Sequence, residues 1–286
     1  MGTIISFFRL ARPINCLMVG VAVVVSIVLA GMFSVSSDPI ILLDVFYGFV
    51  TGFVLTAASM VLNDYFDRKI DAVNEPNRPI PSRKVSPKAA LVFGVILTII
   101  GLGTSYSVNL SCFLIAVLSW ILFVIYTTVG KRSGLPGNFL VSACIGVPFL
   151  FGNFVISDSI QLDILLLAVL AFLSNTGREI CKGIVDIKGD RMKDVRTLAV
   201  RYGRKRAAIA ASIFFFLSVL LSLLPWILYP VSFWFFPFVF ITDFGLVMSS
   251  IMLLRDSSRE NARRIKNLVL LSFMFGLLAF IIGGLG

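Results

Sequence analysis

Residues 40–71 read IILLDVFYGFVTGFVLTAASMVLNDYFDRKID, an apolar run that ends in a series of acidic residues. The apolar part, residues 40–63, exceeds the about 20 residues that a helix needs to cross the hydrocarbon core of a bilayer. If this helix continues, Asn63, Asp67 and Asp71 are spaced four residues apart and form one stripe along it. The stretch therefore predicts a membrane helix with oxygen-bearing side chains at its polar end.

The rest of the chain has the same apolar character. Of its 286 residues 58% are hydrophobic and 14% are charged, whereas soluble domains carry about 25% charged residues. Histidine is absent, which excludes His-ligated haem or zinc and imidazole base catalysis, and the four cysteines form no CxxC pair. Runs that could span a bilayer lie at residues 14–33, 40–63, 89–107, 110–129, 139–156, 160–178, 207–229, 231–254 and 267–285. The sequence therefore predicts an all-α, polytopic membrane protein with nine transmembrane helices in a single domain, residues 1–286.

The positive charges orient these helices. All 25 Lys and Arg residues lie on one predicted face, namely Arg178 at the end of the sixth span and the segments 1–13, 64–88, 130–138, 179–206 and 255–266. Loops rich in Lys and Arg are cytoplasmic, so we expect the N-terminus and the polar loops in the cytoplasm and the C-terminus outside the cell membrane. This distribution also accounts for the net charge of +10 without a nucleic-acid partner.

A second acidic motif follows the sixth predicted span. Residues 178–190 read REICKGIVDIKGD, and Asp194 lies four residues further on. Asp186 and Asp190 repeat the spacing of Asp67 and Asp71. The two host helices are four spans apart and therefore parallel. This predicts two related four-helix halves with a ninth helix added.

Carboxylates at helical spacing repel one another, and a divalent cation reverses the sign of that interaction. Hard carboxylate and amide oxygens suit Mg²⁺, which is typically completed by water and substrate phosphates. Two facing clusters can therefore hold a diphosphate between metal ions, although each cluster alone could consist of solvated loop residues and helix caps. Cations beside the motifs would stabilise the charge of a departing diphosphate, or could simply set the membrane orientation.

Both motifs resemble those of a known family. Residues 63–71, NDYFDRKID, followed by NRPI at 77–80, resemble the NDxxDxxxD…RP signature of the UbiA superfamily of intramembrane prenyltransferases. Residues 186–190, DIKGD, with Thr197 and Leu198 after them, are similar to its second motif, DxxGD…TL. Tyr126, the pair Lys131 and Arg132, and the pair Arg178 and Glu179 also stand where the family has such residues.

The resemblance implies nine helices around a central cavity that both motifs cap on the cytoplasmic side. Such enzymes bind an isoprenoid diphosphate through Mg²⁺, ionise it to an allylic cation and transfer the prenyl chain to a lipid-soluble acceptor. The implied metal ligands, for two Mg²⁺ ions, are Asn63, Asp67, Asp71, Asp186 and Asp190, of which the four aspartates are the implied catalytic residues. The implied substrate-binding residues are Arg12, Asn15, Arg78, Tyr126, Lys131, Arg178 and Lys182.

Three points stay open at this stage. Asp64 and Asp194 are further candidate ligands, and Gly183 stands where many relatives carry an Asp, which leaves the base that activates the acceptor unidentified. Asp243, near the middle of the eighth span, is either functional or bonded to a Ser or Thr on a neighbouring helix. A secondary transporter could also use paired acids, but it should carry them at mid-membrane.

The segments 12–18, RPINCLM, and 77–82, NRPIPS, most resemble the branch of the superfamily that makes archaeal ether lipids. That resemblance implies geranylgeranyl diphosphate as the donor and geranylgeranylglyceryl phosphate as the acceptor, with digeranylgeranylglyceryl phosphate as the product. The alternative is an aromatic acceptor of the hydroxybenzoate or naphthoate type, as in quinone biosynthesis. Both alternatives use the same metal ligands.

Overall fold

The structure is a computed structural model that describes residues 2–31, 39–192, 195–228 and 232–284, and it contains only helices and connecting turns there. A 3-10 turn at Gly130–Arg132 joins the fifth helix to the sixth. The helices are α1 (Gly2–Ala11), α2 (Pro13–Gly31), α3 (Pro39–Asn74), α4 (Pro87–Val108), α5 (Leu110–Thr128), α6 (Leu135–Ile156), α7 (Leu162–Met192), α8 (Leu198–Tyr202), α9 (Arg204–Leu221), α10 (Leu224–Leu228), α11 (Phe235–Arg255) and α12 (Arg259–Gly284).

Nine segments within the described ranges are long and apolar enough to cross a membrane. They are α2 to α7, the segment Arg204–Leu228 that α9 and α10 form together, α11 and α12. The prediction of nine spans in an all-α protein is therefore confirmed. The turn expected near residues 229 and 230 lies outside the described residues.

Three helices extend by two turns or more beyond their predicted spans. α3 continues from the predicted end at residue 63 to Asn74, α7 continues from residue 178 to Met192, and α12 begins at Arg259 rather than near residue 267. Hydropathy marks only the part of a helix that hydrocarbon can accept, whereas backbone hydrogen bonds continue through charged residues. Both acidic motifs consequently lie on helices.

Helices that follow one another along the chain are neighbours in space. α3 packs on α4, α4 on α5, α5 on α6, α6 on α7, α7 on α9, α9 on α11 and α11 on α12. α12 also contacts α7 and α2, which brings the end of the chain back to its beginning. α7 is the most enclosed span, with 67% of its apolar window buried against 11% for α5. The second acidic motif thus extends from a helix fixed on several sides.

A glycine allows the close approach of α7 to α9. A Cβ on Gly177 would lie 2.6 Å from the ring of Phe215, a fully buried side chain. Small residues at such positions let helices in a membrane pack closely, where dispersion rather than the hydrophobic effect drives association. The same interface continues into the largest buried apolar cluster, which includes Ile180, Ile184, Leu246, Leu253, Ile265 and Val269.

Asp243 lies on α11 and has a partner on the preceding span. Its Oδ2 is 2.7 Å from the hydroxyl oxygen of Ser222, the C-cap residue that follows α9. Of the two interpretations left open by the sequence, this contact supports the structural one. A bonded hydroxyl reduces the cost of holding a polar group among apolar helices.

Candidate active site

The first acidic motif is organised around one lysine. Asn63, Asp67 and Asp71 lie on the continuous helix α3, as the stripe requires. Lys131, from the 3-10 turn Gly130–Arg132, donates to Asn63 Oδ1 at 2.6 Å and to Asp67 Oδ2 at 2.5 Å. Asn63 Nδ2 also donates to Asp67 Oδ2 at 3.1 Å. An amide oxygen and a carboxylate oxygen therefore converge on a single cation.

The other two carboxylates of this motif are bonded to arginines. Arg78 Nη1 lies 2.6 Å from Asp71 Oδ2 and 3.4 Å from Asp64 Oδ1, and Arg12 Nη2 lies 2.7 Å from Asp64 Oδ1. Both carboxylates are buried. Burial raises the pKa of Asp71 above its usual value despite the opposing charge of Arg78. For Arg78, burial lowers the pKa, but Asp64 and Asp71 outweigh it and the pKa is raised.

Arg12 has an uncommon backbone. It connects α1 to α2 with φ of 53°, in the left-handed region that residues other than glycine rarely adopt. The residue after it is Pro13, which begins α2. The bond to Asp64 joins this connection to α3 across 52 residues of sequence. The N-terminal segment is thereby attached to the first motif.

The second motif has different partners. Asp186 and Asp190 lie on the C-terminal part of α7. Thr197 Oγ1 donates to Asp190 Oδ2 at 3.5 Å. As the N-cap of α8, Thr197 Oγ1 also accepts a hydrogen bond from the backbone N–H of Val200 at 3.3 Å. Asp186 is exposed and lies within electrostatic range of Lys266 on α12. The second motif therefore contacts the N-cap of α8 through Asp190 and lies near α12 through Asp186.

About two turns before Asp186 on α7, Glu179 is buried between cations. Lys182 Nζ donates to its two carboxylate oxygens at 2.9 and 2.7 Å, and Arg178 Nη1 donates to Oε1 at 3.2 Å. Arg178 Nε also donates to the backbone carbonyl of Lys266 at 3.4 Å. Glu179 thus holds in position Arg178 and Lys182, the two α7 cations for which the family resemblance implies substrate binding.

The segment after the second motif packs on the turn that carries Lys131. The backbone N–H of Arg196 donates to the Arg132 carbonyl at 3.3 Å. Gly134 has φ of 74°, and a Cβ there would lie 2.2 Å from the Arg196 carbonyl. Only glycine suits both the conformation and the space. A single turn therefore contacts the first motif through Lys131 and the segment after the second motif through Arg132.

Tyr126 lies between the two motifs. Its hydroxyl is within electrostatic range of Asp67 on α3 and of Glu179 and Asp190 on α7. Lys131 Nζ is 5.7 Å from the centre of its ring. Acids from both motifs therefore lie within electrostatic range of one tyrosine near the end of α5.

Sequence comparison agrees with this arrangement. The sequence pattern of the UbiA prenyltransferase family matches residues 24–282. The chain belongs to the UbiA prenyltransferase family. It is accordingly a multi-pass membrane protein with a prenyltransferase fold.

Several UbiA relatives are similar over nearly their whole length. Two that bear the name digeranylgeranylglyceryl phosphate synthase come from Methanosarcina mazei, 33% identical over 97% of this chain and 98% of the relative, and from Thermococcus kodakarensis, 33% identical over 98% of both. A solved structure of digeranylgeranylglyceryl phosphate synthase in membranes has a TM-score of 0.79 at 30% identity and covers 99% of each chain. A UbiA homolog from Archaeoglobus fulgidus bound to GPP and Mg²⁺ shares the fold, with a TM-score of 0.67 at 15% identity over 96% of this chain and 99% of that one.

The structure brings most of the predicted site residues together. Contacts or electrostatic range connect Asn63, Asp67, Asp71, Arg12, Arg78, Tyr126, Lys131, Arg178, Lys182, Asp186 and Asp190 in groups around the two motifs. Asn15 is exposed on the first turn of α2, and among the described residues no side-chain contact joins it to these groups. Asp194 lies outside the described residues.

Sequence reasoning did not identify the contribution of α12. Arg259, Arg263 and Lys266 are spaced at i, i+4 and i+7, which places them on one face of a helix. Arg259 Nε donates to the Val185 carbonyl at 3.0 Å, so this face lies against α7. The spacing was a usable signal, but the predicted ninth span began after these residues.

The donor set of the first motif fits a magnesium ion. In the part of the chain that the structure describes, no three carboxylate or thiol groups surround one point. Asn63 Oδ1 and Asp67 Oδ2 nevertheless converge on the Lys131 ammonium group, and hard oxygens of this kind are the ligands that Mg²⁺ prefers. Because Mg²⁺ keeps several waters and takes substrate phosphates, two or three protein oxygens are sufficient.

Proposed function

We propose that this protein transfers a geranylgeranyl group from geranylgeranyl diphosphate to geranylgeranylglyceryl phosphate, giving digeranylgeranylglyceryl phosphate in ether-lipid biosynthesis. The observation that carries the proposal is that Asp67 of the first motif and Asp190 of the second both lie within electrostatic range of Tyr126, next to Lys131. The near-full-length relatives that bear this synthase name support the choice of substrates.

In this reaction the bond between C1 of the donor and the diphosphate oxygen breaks, and the electron pair leaves with the diphosphate. The acceptor hydroxyl oxygen forms a new ether bond to C1 and releases its proton. We propose that Asn63, Asp67, Asp71, Asp186 and Asp190 hold two Mg²⁺ ions and through them the diphosphate. Bound Mg²⁺ supplies Lewis-acid stabilisation of the charge on the departing diphosphate.

The chain's own cations have two tasks in this proposal. Lys131 and Arg78 keep the first-motif carboxylates in position and add positive charge near the leaving group. Arg12 forms an ion pair with Asp64 and so attaches the start of α2 to α3. The Tyr126 ring, already beside the ammonium of Lys131, provides an aromatic face for a developing allylic cation.

Two further parts of the account are proposals. The segregation of Lys and Arg supports a cytoplasmic position for the motifs and the N-terminus and an external C-terminus in the cell membrane. The matched spacing of Asp67 and Asp71 with Asp186 and Asp190 supports two related four-helix halves followed by a ninth helix.

The test is product analysis with membranes that contain the protein. Labelled geranylgeranyl diphosphate is incubated with geranylgeranylglyceryl phosphate, hydroxybenzoate or a naphthoate, each with and without Mg²⁺. We expect Mg²⁺-dependent formation of the digeranylgeranyl lipid. Prenylation of an aromatic acceptor alone, or equal transfer without Mg²⁺, would overturn the proposal.

A further inference from the structure

α7 and α12 pack side by side in an antiparallel register next to the second motif. Arg259 Nε donates to the Val185 carbonyl, and Arg178 Nε donates to the Lys266 carbonyl. The helices are antiparallel because Arg259, the earlier residue of α12, contacts Val185, the later residue of α7, whereas Lys266 contacts Arg178. The segment 259–266 therefore lies along the segment 178–185.

Positive charge accumulates along this contact. The Lys266 ammonium lies within electrostatic range of three cations, Lys182, Arg178 and Arg263, and of the carboxylate of Asp186. Of the other acids on the two facing segments, Glu179 already binds Arg178 and Lys182, and Glu260 on α12 is exposed. Within the described residues, no salt bridge joins Arg263 or Lys266 to a carboxylate. Cations thus outnumber acids here.

Membrane orientation does not require this crowding. Lys and Arg that act as orientation signals need only lie on the cytoplasmic side, where they separate freely in water. Lys266 is instead half-buried against α7, whereas Arg263 and Arg264 are exposed. Like charges held together in a partly buried place cost free energy, which a bound anion would offset.

The cations at the first motif are already bonded to carboxylates. Arg12, Arg78 and Lys131 each bind at least one Asp there, so that side of the site offers carboxylate oxygens to metal ions. The α7–α12 contact has the opposite character, since its surplus charge is positive. A metal-bound diphosphate suits the first environment, and a phosphate group without its own metal suits the second.

We propose that Lys266, together with Arg263, binds the phosphate group of the acceptor lipid and so selects a phosphorylated acceptor. The inference rests on the proposed function, in which the acceptor carries a phosphate monoester close to its reacting hydroxyl. Such a group has a charge of about −2 near neutral pH and three strong acceptor oxygens. Ammonium and guanidinium groups donate charge-assisted hydrogen bonds to such oxygens.

The experiment compares Lys266→Ala, Lys266→Arg and the control Arg264→Ala in steady-state transfer, with donor and acceptor varied separately. We expect Lys266→Ala to raise the KM for geranylgeranylglyceryl phosphate by about 10- to 100-fold, the range of one charged hydrogen bond. The donor KM should change by less than about 2-fold, Lys266→Arg should restore most of the acceptor affinity, and Arg264→Ala should match the wild type.

A binding measurement without donor or Mg²⁺ provides a second readout. Glycerol 1-phosphate should raise the melting temperature of the solubilised wild-type protein and of Arg264→Ala, but not that of Lys266→Ala. Equal acceptor KM values for Lys266→Ala and Arg264→Ala, or an effect of Lys266→Ala on the donor KM instead, would overturn the inference while leaving the transfer reaction intact. If the wild type prenylates only an aromatic acceptor, the proposed function fails first and this inference falls with it.

Discussion

The two acidic motifs have the same spacing along the chain but different electrostatic surroundings. On α3, three cations from other parts of the chain, Arg12, Arg78 and Lys131, hold the carboxylates. On α7, Asp190 accepts a hydrogen bond from the hydroxyl of Thr197, and Asp186 lies within electrostatic range of Lys266, which has other cations nearby. The motifs therefore present one side rich in organised oxygens and one side rich in positive charge. Repetition in sequence did not produce two equivalent half-sites.

The largest effect should come from removing a carboxylate on either side. We expect Asp67→Ala and Asp190→Ala each to lower kcat by at least about 100-fold, because each removes a proposed metal ligand that stabilises the leaving group. Both variants should remain folded and inserted, since the nine spans supply the packing. Rates of transfer by purified protein and size-exclusion profiles check this, with Asp158→Ala, an exposed residue between α6 and α7, as the control. Near-normal activity of either variant would remove its metal assignment.

An intermediate effect should separate the two sides. Lys131→Met removes the ammonium that contacts Asn63 and Asp67 and faces Tyr126. We expect kcat/KM for the donor to fall by about 10- to 100-fold, while the acceptor KM stays within about 2-fold of wild type. This result mirrors the one expected for Lys266, where the acceptor responds and the donor does not. If Lys131→Met and Lys266→Ala change the same KM, the two sides are not functionally distinct.

A smaller effect on stability should follow from loosening the connection between the sides. Gly134→Ala places a side chain at positive φ and against the Arg196 carbonyl. We expect a loss of about 1–3 kcal/mol in the free energy of unfolding, together with a drop in activity from displacement of Lys131. Gly103→Ala, on α4 with open space around its Cβ position, is the matched control. Thermal unfolding and transfer activity at low temperature are measured for both variants. Equal stability and equal activity of Gly134→Ala and Gly103→Ala would contradict the prediction.

The smallest effect should be at Asp243. Its carboxylate contacts Ser222, and among the described residues it contacts no member of either motif. Asp243→Asn keeps a hydrogen-bonding oxygen there, so transfer activity should stay within about 2-fold of wild type. A large loss of activity at unchanged melting temperature would give this residue a role that the structure does not indicate.

Much of the fold could be predicted because hydropathy and helical spacing are local properties. The nine spans follow from apolar run length, and the stripe of Asn63, Asp67 and Asp71 follows from the period of the helix. The stripe required α3 to continue beyond its apolar run, which the structure confirms, and α7 continues beyond its apolar run as well. The two-half repeat was inferred from motif spacing alone and stays a prediction.

The pairing of the site residues could not be predicted in the same way. Lys131 meets Asp67 across 64 residues, and Arg12 meets Asp64 across 52, so both contacts depend on how separate helices and turns pack. The cationic face of α12 was not predicted because hydropathy identifies only the apolar part of the helix, which begins after Lys266. Asn15, assigned through family resemblance, has no side-chain contact with the other site residues in the part of the chain that the structure describes.

The most direct test of the shared site is the binding of a non-reactive geranylgeranyl diphosphate analogue to purified wild type, Asp67→Asn and Asp190→Asn, each titrated with and without Mg²⁺. If both motifs hold one diphosphate through metal ions, Mg²⁺ should raise the affinity of the wild type, and either substitution should abolish most of that increase. Retention of the full Mg²⁺-dependent increase by one of the two variants would contradict the account.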